Sequence, residues 1–337
     1  MRTELLDPRT DERWEEFVGR AGHATMFHHP AWLGLLADCY RYDFRASCVV
    51  DDGGRVVAGL PWARIESRLT GRRLVALPFS DACPPLTDGA SVEELARATG
   101  EHRRETELGL EVRWEMEALG TTVQRYWRHT LALDSDADAV AQRAKSSVRR
   151  GVSKARAEGL EFERRTDAAA LDAFYKLHLR TRRHQGVPTQ PKRFIDGLGT
   201  LFNRGHGFVA LVSDDGRPVA AAVFLQLNGH LIYKYGASDR SALARRPNNL
   251  LFAEVIRWAC EAGLRELDFG RTDLEQEGLK RFKRGWGTEE RPLHHTYAGM
   301  DAPSGDGSGL QRLLAPVIRH SPPGVGRLVG TAYRHFG

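Results

Sequence analysis

The 337-residue sequence contains few cysteines, few lysines and no long apolar segment. Its four cysteines are far apart and form no C-x-x-C pair, which excludes a zinc ribbon and a disulfide scaffold, so we expect four buried thiols. No stretch approaches the roughly 20 apolar residues of a membrane span. The charged N-terminus lacks the apolar core of a secretory signal, which predicts a cytoplasmic protein.

Common catalytic motifs are also missing. The sequence has no G-x-x-x-x-G-K-[ST] loop, no G-x-G-x-x-G after a strand, no H-E-x-x-H and no G-x-S-x-G. Kinase, dehydrogenase, zinc protease and serine hydrolase functions therefore lose support. The thirteen histidines are scattered, and the adjacent pairs at 28–29 and 294–295 would point to opposite faces of a strand, so we predict no metal site.

Charge is unevenly distributed along the chain. Residues 1–141 hold 17 basic and 24 acidic side chains, a net charge of −7, whereas residues 142–337 hold 32 and 20, a net charge of +12. All seven lysines among the 49 basic residues lie in the second part. This asymmetry indicates a polyanionic partner for the second part, and two differently solvated surfaces would explain it equally well.

The chain contains an internal repeat. Residues 48–81 and 211–239 share a D-D-G turn, then a T-G or N-G turn, and finally an S-D pair, with β-rich apolar runs between them. Each passage therefore predicts a three-stranded β-meander. Two similar meanders predict two related domains.

The predicted elements around the second meander follow in the order helix, helix, three strands, helix, strand, strand. Apolar spacing predicts helices at 168–183, 194–202 and 248–262, and strands at 265–270 and 291–298. This order resembles that of GNAT-type acyltransferases, and the first part shows it more faintly. The predicted fold is α/β with two tandem GNAT-like domains, each a mixed, mainly antiparallel sheet flanked by helices.

Four segments follow from this interpretation. The first domain spans 1–141, a basic connecting helix spans 142–160, the second domain spans 161–298, and a Gly/Pro-rich linker with C-terminal amphipathic helices spans 299–337. The C-terminal stretches 310–320 and 325–336 are expected to dock on the protein or to touch a membrane surface peripherally.

Several basic residues are candidates for binding phosphate. Residues 142–156 carry six basic and no acidic side chains, which fits either a solvated helix face or a helix that contacts RNA phosphates. The segment A-L-A-R-R-P-N-N-L-L before the 248–262 helix lacks the glycine turn with which acetyl-CoA enzymes bind pyrophosphate, although two arginines could hold phosphate there. The candidates are Lys145, Arg149, Arg150, Lys154, Arg245, Arg246, Lys280 and Arg284.

The segment G-L-K-R-F-K-R-G-W-G at 278–287 places two lysines near the end of a predicted strand. In an arginine-rich protein, lysine at such a point indicates a need for a compact ammonium group that reaches a carbonyl or phosphate oxygen. Chance and surface solvation explain it equally well.

Five passages carry a resemblance to a known family: FHHPAWLGLL, LPFSDACPPL, TRRHQGVPTQPKRF, YKYGASD and LDFGRTDLEQEGLKRFKRGWG. Together they resemble the Fem family (FemA, FemB, FemX) and its BioF2-like acyltransferase relatives, and the similarity covers residues 20–298. The resemblance implies two GNAT-like domains that take an aminoacyl group from aminoacyl-tRNA and form an amide on an amine. It requires no cofactor beyond the tRNA co-substrate.

The resemblance also implies roles for individual residues. Lys283 would stabilise the acyl oxyanion or bind the tRNA terminus, and Phe282 would shape the channel or serve as a core aromatic. Arg183, or its neighbour Arg182, would grip substrate phosphate. Tyr235 would face the substrate or pack in the core, and Asp81 of the first domain would orient or deprotonate the amine.

The sequence departs from the peptidoglycan enzymes of that family. Those enzymes carry a lysine after the Trp of the first helix, but here Trp32 is followed by L-G-L-L. Their helical-hairpin arm is absent as well. The acidic residue that they use in the first domain has no secure counterpart here, and Glu115 or Glu117 would merely occupy the corresponding strand. These differences favour a small-molecule or polysaccharide-linked amine as acceptor.

Three hypotheses follow. The first is aminoacyl-tRNA-dependent transfer to an amine by direct attack without a covalent intermediate, since no nucleophile with an adjacent base is visible. The second is acyl-CoA-dependent N-acetylation on the same fold. The third is a noncatalytic scaffold that binds RNA or sugar, for which Lys283→Ala would leave every transfer assay unchanged.

Overall fold

The computed structural model describes residues 1–67, 71–303, 315, 316 and 318. The described chain divides into two compact units. Unit 1 contains Met1–Trp127 and returns with residues from Pro292, and unit 2 contains Arg128–Arg291. The predicted C-terminal amphipathic stretches, except for residues 315, 316 and 318, lie outside the described residues.

Within the described residues, unit 1 is a mixed sheet flanked by three α-helices. Its sheet order is β1-β2-β3-β4-β6-β13, where β13 is Glu289–Ala298 and β5 lies beside β3. The pair β4–β6 is parallel, and the pairs β1–β2, β2–β3, β3–β4 and β6–β13 are antiparallel. The elements are β1 (Arg2–Leu6), α1 (Glu12–Arg20), α2 (Pro30–Tyr40), β2 (Asp43–Val50), β3 (Val56–Ser67), β4 (Gly71–Ala76), β5 (Leu86–Thr87), α3 (Val92–Thr106), β6 (Leu110–Val112) and β7 (Thr121–Ala132), which continues into unit 2.

Unit 2 repeats this plan. Its sheet order is β7-β12-β11-β10-β9-β8, with the parallel pair β11–β12 and antiparallel pairs from β11 to β8. The elements are α4 (Ala137–Gln142), α5 (Ser146–Ala157), β8 (Glu161–Arg165), α6 (Ala168–Gln185), α7 (Lys192–Phe202), β9 (Gly207–Asp214), β10 (Arg217–Leu227), β11 (His230–Ser238), α8 (Pro247–Glu261), β12 (Glu266–Asp273), α9 (Glu277–Arg284) and β13 (Glu289–Ala298), which ends in unit 1. The predicted mixed, mainly antiparallel sheets flanked by helices are confirmed.

Local sequence explains the hairpins and helix ends of unit 2. Asp214 pairs with Arg217 and Leu227 with His230, so two-residue loops, Asp215-Gly216 and Asn228-Gly229, join the strands. All four loop residues have positive φ, as type I′ turns require, and Asp, Asn and Gly adopt it most readily. Asp167 caps α6 by accepting a hydrogen bond from the Ala170 N–H at 3.1 Å.

The core of unit 2 lies between one sheet face and α4, α5 and α8, while α6 and α7 cover the other face. Strands β9 and β10 are apolar almost throughout because both of their faces are covered. All four cysteines are buried and free of disulfides. No helix in the described part of the chain is long and apolar enough to cross a membrane.

Candidate functional site

The parallel strands β11 and β12 are paired along only part of their length. Their register runs from His230↔Glu266 to Ile232↔Asp268, whereas β11 continues to Ser238 and β12 to Asp273. Beyond the last pair, the N–H and C=O groups on the facing edges of the two strands do not hydrogen-bond to each other, so they need other hydrogen-bond partners. Next to this divergence lies a cavity of about 440 Å³ lined by α6, β10, β11, α8 and α9.

The β11 wall of the cavity is shaped by a bulge. Val223 pairs with Tyr235 and Phe224 with Tyr233, so Lys234 is an extra residue in the strand. The bulge places the two tyrosines on opposite faces. Tyr233 packs against Phe252 and lines the cavity, whereas Tyr235 is buried against His178 on the α6 side and is not among the lining residues.

Gly236 lets the Tyr233 side chain fold back over the strand. A methyl group at Gly236 would overlap the Tyr233 hydroxyl, so any larger residue here would force the Tyr233 side chain to shift. Burial raises the pKa of Tyr233 to about 12, which keeps its hydroxyl protonated at neutral pH. The β11 wall therefore presents the neutral phenol of Tyr233 and the bare backbone of Gly236 to the cavity.

Three polar side chains join α6, β11 and α8 at the cavity. The Thr181 hydroxyl donates to the Ser238 carbonyl at 3.3 Å and accepts from the Ser238 N–H at 3.1 Å. The Ser238 hydroxyl donates to Oδ1 of Asn248 at 2.8 Å. Ser238 is therefore held by an amide and not by a base, which is unlike an activated nucleophile.

The residues that line the cavity include no aspartate or glutamate, but they include Arg240 and His184. Arg240 is exposed and forms no ion pair within the described residues. Arg182 is half-buried beside this wall. Burial is the larger cause that lowers the pKa of His178, and the positive charge of Arg182 is the second. The Arg182 Nε has no hydrogen-bond partner among the described atoms. The electrostatics therefore favour an anionic group over a cationic one.

The structure separates the two arginines that the sequence offered as alternatives. Arg182 lies next to the cavity wall, whereas Arg183 is exposed on the following position of α6. Helical geometry explains this, since the lining residues Thr181, His184 and Gln185 mark the cavity face of α6 at spacings of three and four.

Phe282 and Lys283 point in different directions from α9. Phe282 lines the cavity and also packs edge-on against Phe252, so it contributes to both the channel and the core. Lys283 is 2% exposed and is not among the lining residues. Its Nζ donates to the Gly270 carbonyl at 2.7 Å and to the Arg271 carbonyl at 3.1 Å. Contact of Lys283 with an acyl carbonyl stays a prediction.

The predicted phosphate-binding residues fall into two groups. Five of them have internal partners: Arg149 donates to backbone carbonyls of residues 142 and 144, Lys154 pairs with Glu158, Arg245 with Glu158 and Asp214, Lys280 with Glu277, and Arg284 with Glu290. Lys145, Arg150 and Arg246 are exposed and have no ion pair within the described residues. These three remain open to an anionic partner.

The predicted basic segment at 142–156 is a break followed by a helix. Helix α4 ends at Gln142, and α5 begins at Ser146 with Lys145 as its N-cap. Val148, Gly151 and Ala155 face α8, so the basic side chains lie on the solvent side. Basic residues on one exposed face are the arrangement that contacts with phosphates require.

Asp81 belongs to unit 1, where it follows β4 and is half-buried. Unit 1 also holds a charged cluster around Glu111 of β6, which His295 contacts at 3.2 Å and Arg113 at 3.4 Å. Burial raises the pKa of Glu111, but the charges of Arg113 and His295 outweigh it and hold that pKa well below its usual range. Glu111 is therefore a structural anion of unit 1.

Sequence reasoning missed the contributions of Tyr233, Ser238, Arg240 and Asn248 to the cavity. Two of them, Tyr233 and Ser238, lie in the Y-K-Y-G-A-S-D passage that forms the end of β11. The bulge that selects Tyr233 over Tyr235 has no reliable sequence signal. Arg240 begins the 3-10 helix Arg240–Arg245 and Asn248 lies in the first turn of α8, and only the fold brings them to the same opening.

Comparison with known proteins agrees with this architecture. Residues 142–284 match the family model of the acetyltransferase (GNAT) domain. FemX is 16% identical in a match that covers 88% of this chain and 96% of that chain, with a TM-score of 0.68. The C-terminal domain of a putative lysylphosphatidylglycerol synthetase from Agrobacterium fabrum is 15% identical over 91% and 96% of the two chains, with a TM-score of 0.59.

A tandem GNAT protein from the clavulanic acid biosynthesis pathway is 14% identical over 90% of this chain and 100% of that chain, with a TM-score of 0.51. No curated protein sequence matches the chain significantly. At these identities the solved structures show the fold. The resemblance to the Fem family is confirmed at that level: the chain has a FemX-like fold of the GNAT type, and residues 142–284 match a GNAT acetyltransferase domain.

Proposed function

We propose that the chain is an acyltransferase that takes an aminoacyl group from aminoacyl-tRNA and forms an amide on an acceptor amine. The observation that carries this proposal is the cavity beside the diverging strands β11 and β12, within the part of the chain that matches a GNAT domain. Its size of about 440 Å³ is in the range of small-ligand sites. The reactive end of the donor would bind there.

The backbone before α8 favours tRNA over acyl-CoA as donor. A pyrophosphate group binds to a helix start through free backbone N–H groups. Here the Arg246 N–H already donates to the Leu243 carbonyl, and Pro247 has no N–H. The usual cradle for the pyrophosphate of coenzyme A is therefore reduced, whereas a tRNA end can be held by side-chain cations.

The open cations of unit 2 support the same donor. Lys145 and Arg150 are exposed on α5, and Arg246 is exposed at the start of α8. A polyanion gains from each such cation, because its phosphates release counterions on binding. A short donor such as coenzyme A would use few of them.

Direct attack by the acceptor amine fits the side chains in the cavity. A neutral amine nitrogen would attack the acyl carbon and form the new C–N bond. The ester bond to the ribose would then break, and the ribose oxygen would take up the proton that the amine loses. The lining residues include no cysteine or carboxylate, and the Ser238 hydroxyl donates to the Asn248 amide and not to a base, which favours direct attack over a covalent enzyme intermediate. Positioning supplies the catalysis.

The proposal is tested with two donors in parallel. The protein is incubated with pools of charged tRNA and, separately, with labelled acetyl-CoA, each with a panel of amines, and products are identified by mass spectrometry. We expect an aminoacylated amine from the tRNA pools only, and RNase treatment beforehand should abolish it. Consumption of neither donor with any amine would contradict the proposal.

The second candidate is acyl-CoA-dependent N-acetylation, which the matched family model favours because it describes acetyltransferase domains. It predicts release of free thiol from acetyl-CoA whether or not tRNA is present. Thiol release at equal rates with and without RNase would select this candidate.

A further inference from the structure

Gly270 lies where β12 leaves its partner strand. The last residue of β12 paired with β11 is Asp268, and Gly270 follows two positions later with φ of +71°. This left-handed conformation is one that glycine adopts without penalty, so the residue marks a bend in the strand. Glycine also leaves the backbone loose, so a bend of fixed geometry needs contacts that hold it.

An acidic side chain holds the N–H side of Gly270. The Gly270 N–H donates to Oδ1 of Asp268 at 2.7 Å. The other carboxylate oxygen accepts a hydrogen bond from Nε of Arg128, also at 2.7 Å, and Asp268 is only 7% exposed. A buried carboxylate with two charge-assisted or backbone bonds has a defined orientation.

A basic side chain holds the carbonyl side of the same residue. Nζ of Lys283 donates to the Gly270 and Arg271 carbonyls at 2.7 and 3.1 Å. These two bonds tie α9 to β12, and the neighbouring Phe282 and Leu279 of α9 line the cavity. The orientation of this cavity wall therefore depends on the Lys283 contact.

We propose that Lys283 and Asp268 form a backbone clamp on Gly270 that fixes the bend of β12 and, through α9, the Phe282 wall of the donor cavity. Lys283 is then a positioning residue that acts through the backbone and does not contact the acyl group. This inference rests on the proposed function for its kinetic test, but the clamp itself can be tested without turnover.

The kinetic test uses Lys283→Met and Asp268→Asn. We expect each to raise the donor KM by about tenfold with kcat within about threefold of wild type, and the double variant to be no worse than the stronger single one, because both act on one unit. Arg281→Met and Glu275→Gln, exposed positions nearby, serve as matched controls. A fall in kcat of about 100-fold at unchanged KM in Lys283→Met would overturn the proposal.

A conservative variant separates the clamp from direct catalysis further. In Lys283→Arg the guanidinium still offers several donors to two carbonyls, so we expect most of the donor affinity to return. The opposing outcome is that Lys283→Arg loses as much activity as Lys283→Met while the amides of α9 still exchange their hydrogens as slowly as in wild type. That result would contradict a clamp and indicate that Lys283 contacts the substrate.

Hydrogen exchange followed by mass spectrometry tests the clamp in the full chain without any donor. Lys283→Met and Asp268→Asn should accelerate exchange by about tenfold in peptides covering 266–273 and 277–284, while both controls exchange like wild type. Wild-type exchange in both variants would overturn the clamp even if the enzyme proves active. Failure of every transfer assay would instead overturn the proposed function and leave this result standing.

Discussion

Acid should destabilise unit 2 through His178, whose imidazole is buried between α6 and β11. It stacks on Phe174 at 5.0 Å, contacts the Tyr235 ring at 5.8 Å, and its Nε2 lies 2.9 Å from the Gln190 side-chain oxygen. Burial, with the charge of Arg182 as the second cause, lowers the pKa of His178 to about 3. The cationic form is therefore excluded from the folded state at any mild pH.

The sign of the effect follows from proton binding in the two states. An unfolded histidine takes up its proton near a pKa of about 6.5, whereas folded His178 does so only near 3. The unfolded state binds more protons in that window, so the free energy of unfolding falls as the pH drops through it. Between pH 8 and pH 5 the loss is about 2 kcal/mol.

Urea denaturation of wild type and His178→Gln at pH 8 and pH 5 measures this loss. Since the other groups titrate in both proteins, the variant should lose about 2 kcal/mol less than wild type over the same pH change. His184→Gln, an exposed histidine at the cavity opening on the same helix, should respond like wild type. An equal loss in wild type and His178→Gln would refute the reasoning.

Three further predictions concern packing and charge. Gly236→Ala should destabilise the fold by about 1–3 kcal/mol, because the methyl group meets the Tyr233 hydroxyl; Tyr233→Phe should restore part of this in thermal denaturation, and a wild-type melting temperature of Gly236→Ala would contradict it. Arg150→Ala should reduce the slope of log RNA affinity against log salt concentration by about one, whereas Arg245→Ala should lower the stability of the fold and leave that slope unchanged. Equal slopes in the two variants would contradict the assignment of Arg150 to phosphate binding. Glu111→Gln should cost about 3 kcal/mol in urea unfolding, because it leaves the cations around it without their anion, and a loss under about 1 kcal/mol would contradict its role.

Local signals predicted much of the fold. The D-D-G and N-G turns predicted both hairpins of unit 2 because few residues other than Gly, Asn and Asp adopt positive φ readily. Apolar spacing predicts α6, α7 and α8, and each begins and ends within a few residues of its expected position. By contrast, the pairing of residues 296–298 of β13 with β6 joins segments far apart in sequence, and no local pattern reports it.

The site was predicted less completely than the fold. The period of two in a strand puts Tyr233 and Tyr235 on one face, and the bulge at Lys234 places them on opposite faces, so Tyr233 lines the cavity and Tyr235 packs in the core. The motif at 278–287 contains Lys283, which is buried and bound to backbone carbonyls. Whether Lys283 meets backbone or substrate depends on the bend at Gly270, and this bend is set by Asp268 and by the fold around it.

If the cavity of unit 2 binds an anionic acyl donor, as we propose, a charge reversal at the edge of the cavity should weaken donor binding. Arg240 lines the cavity and Arg204 is exposed elsewhere in unit 2, so Arg240→Glu and Arg204→Glu change the net charge equally. At fixed ionic strength, we expect Arg240→Glu to raise the donor KM about tenfold, worth about 1.4 kcal/mol, and Arg204→Glu to leave it unchanged. Equal donor KM values in the two variants would contradict binding of an anionic donor in this cavity.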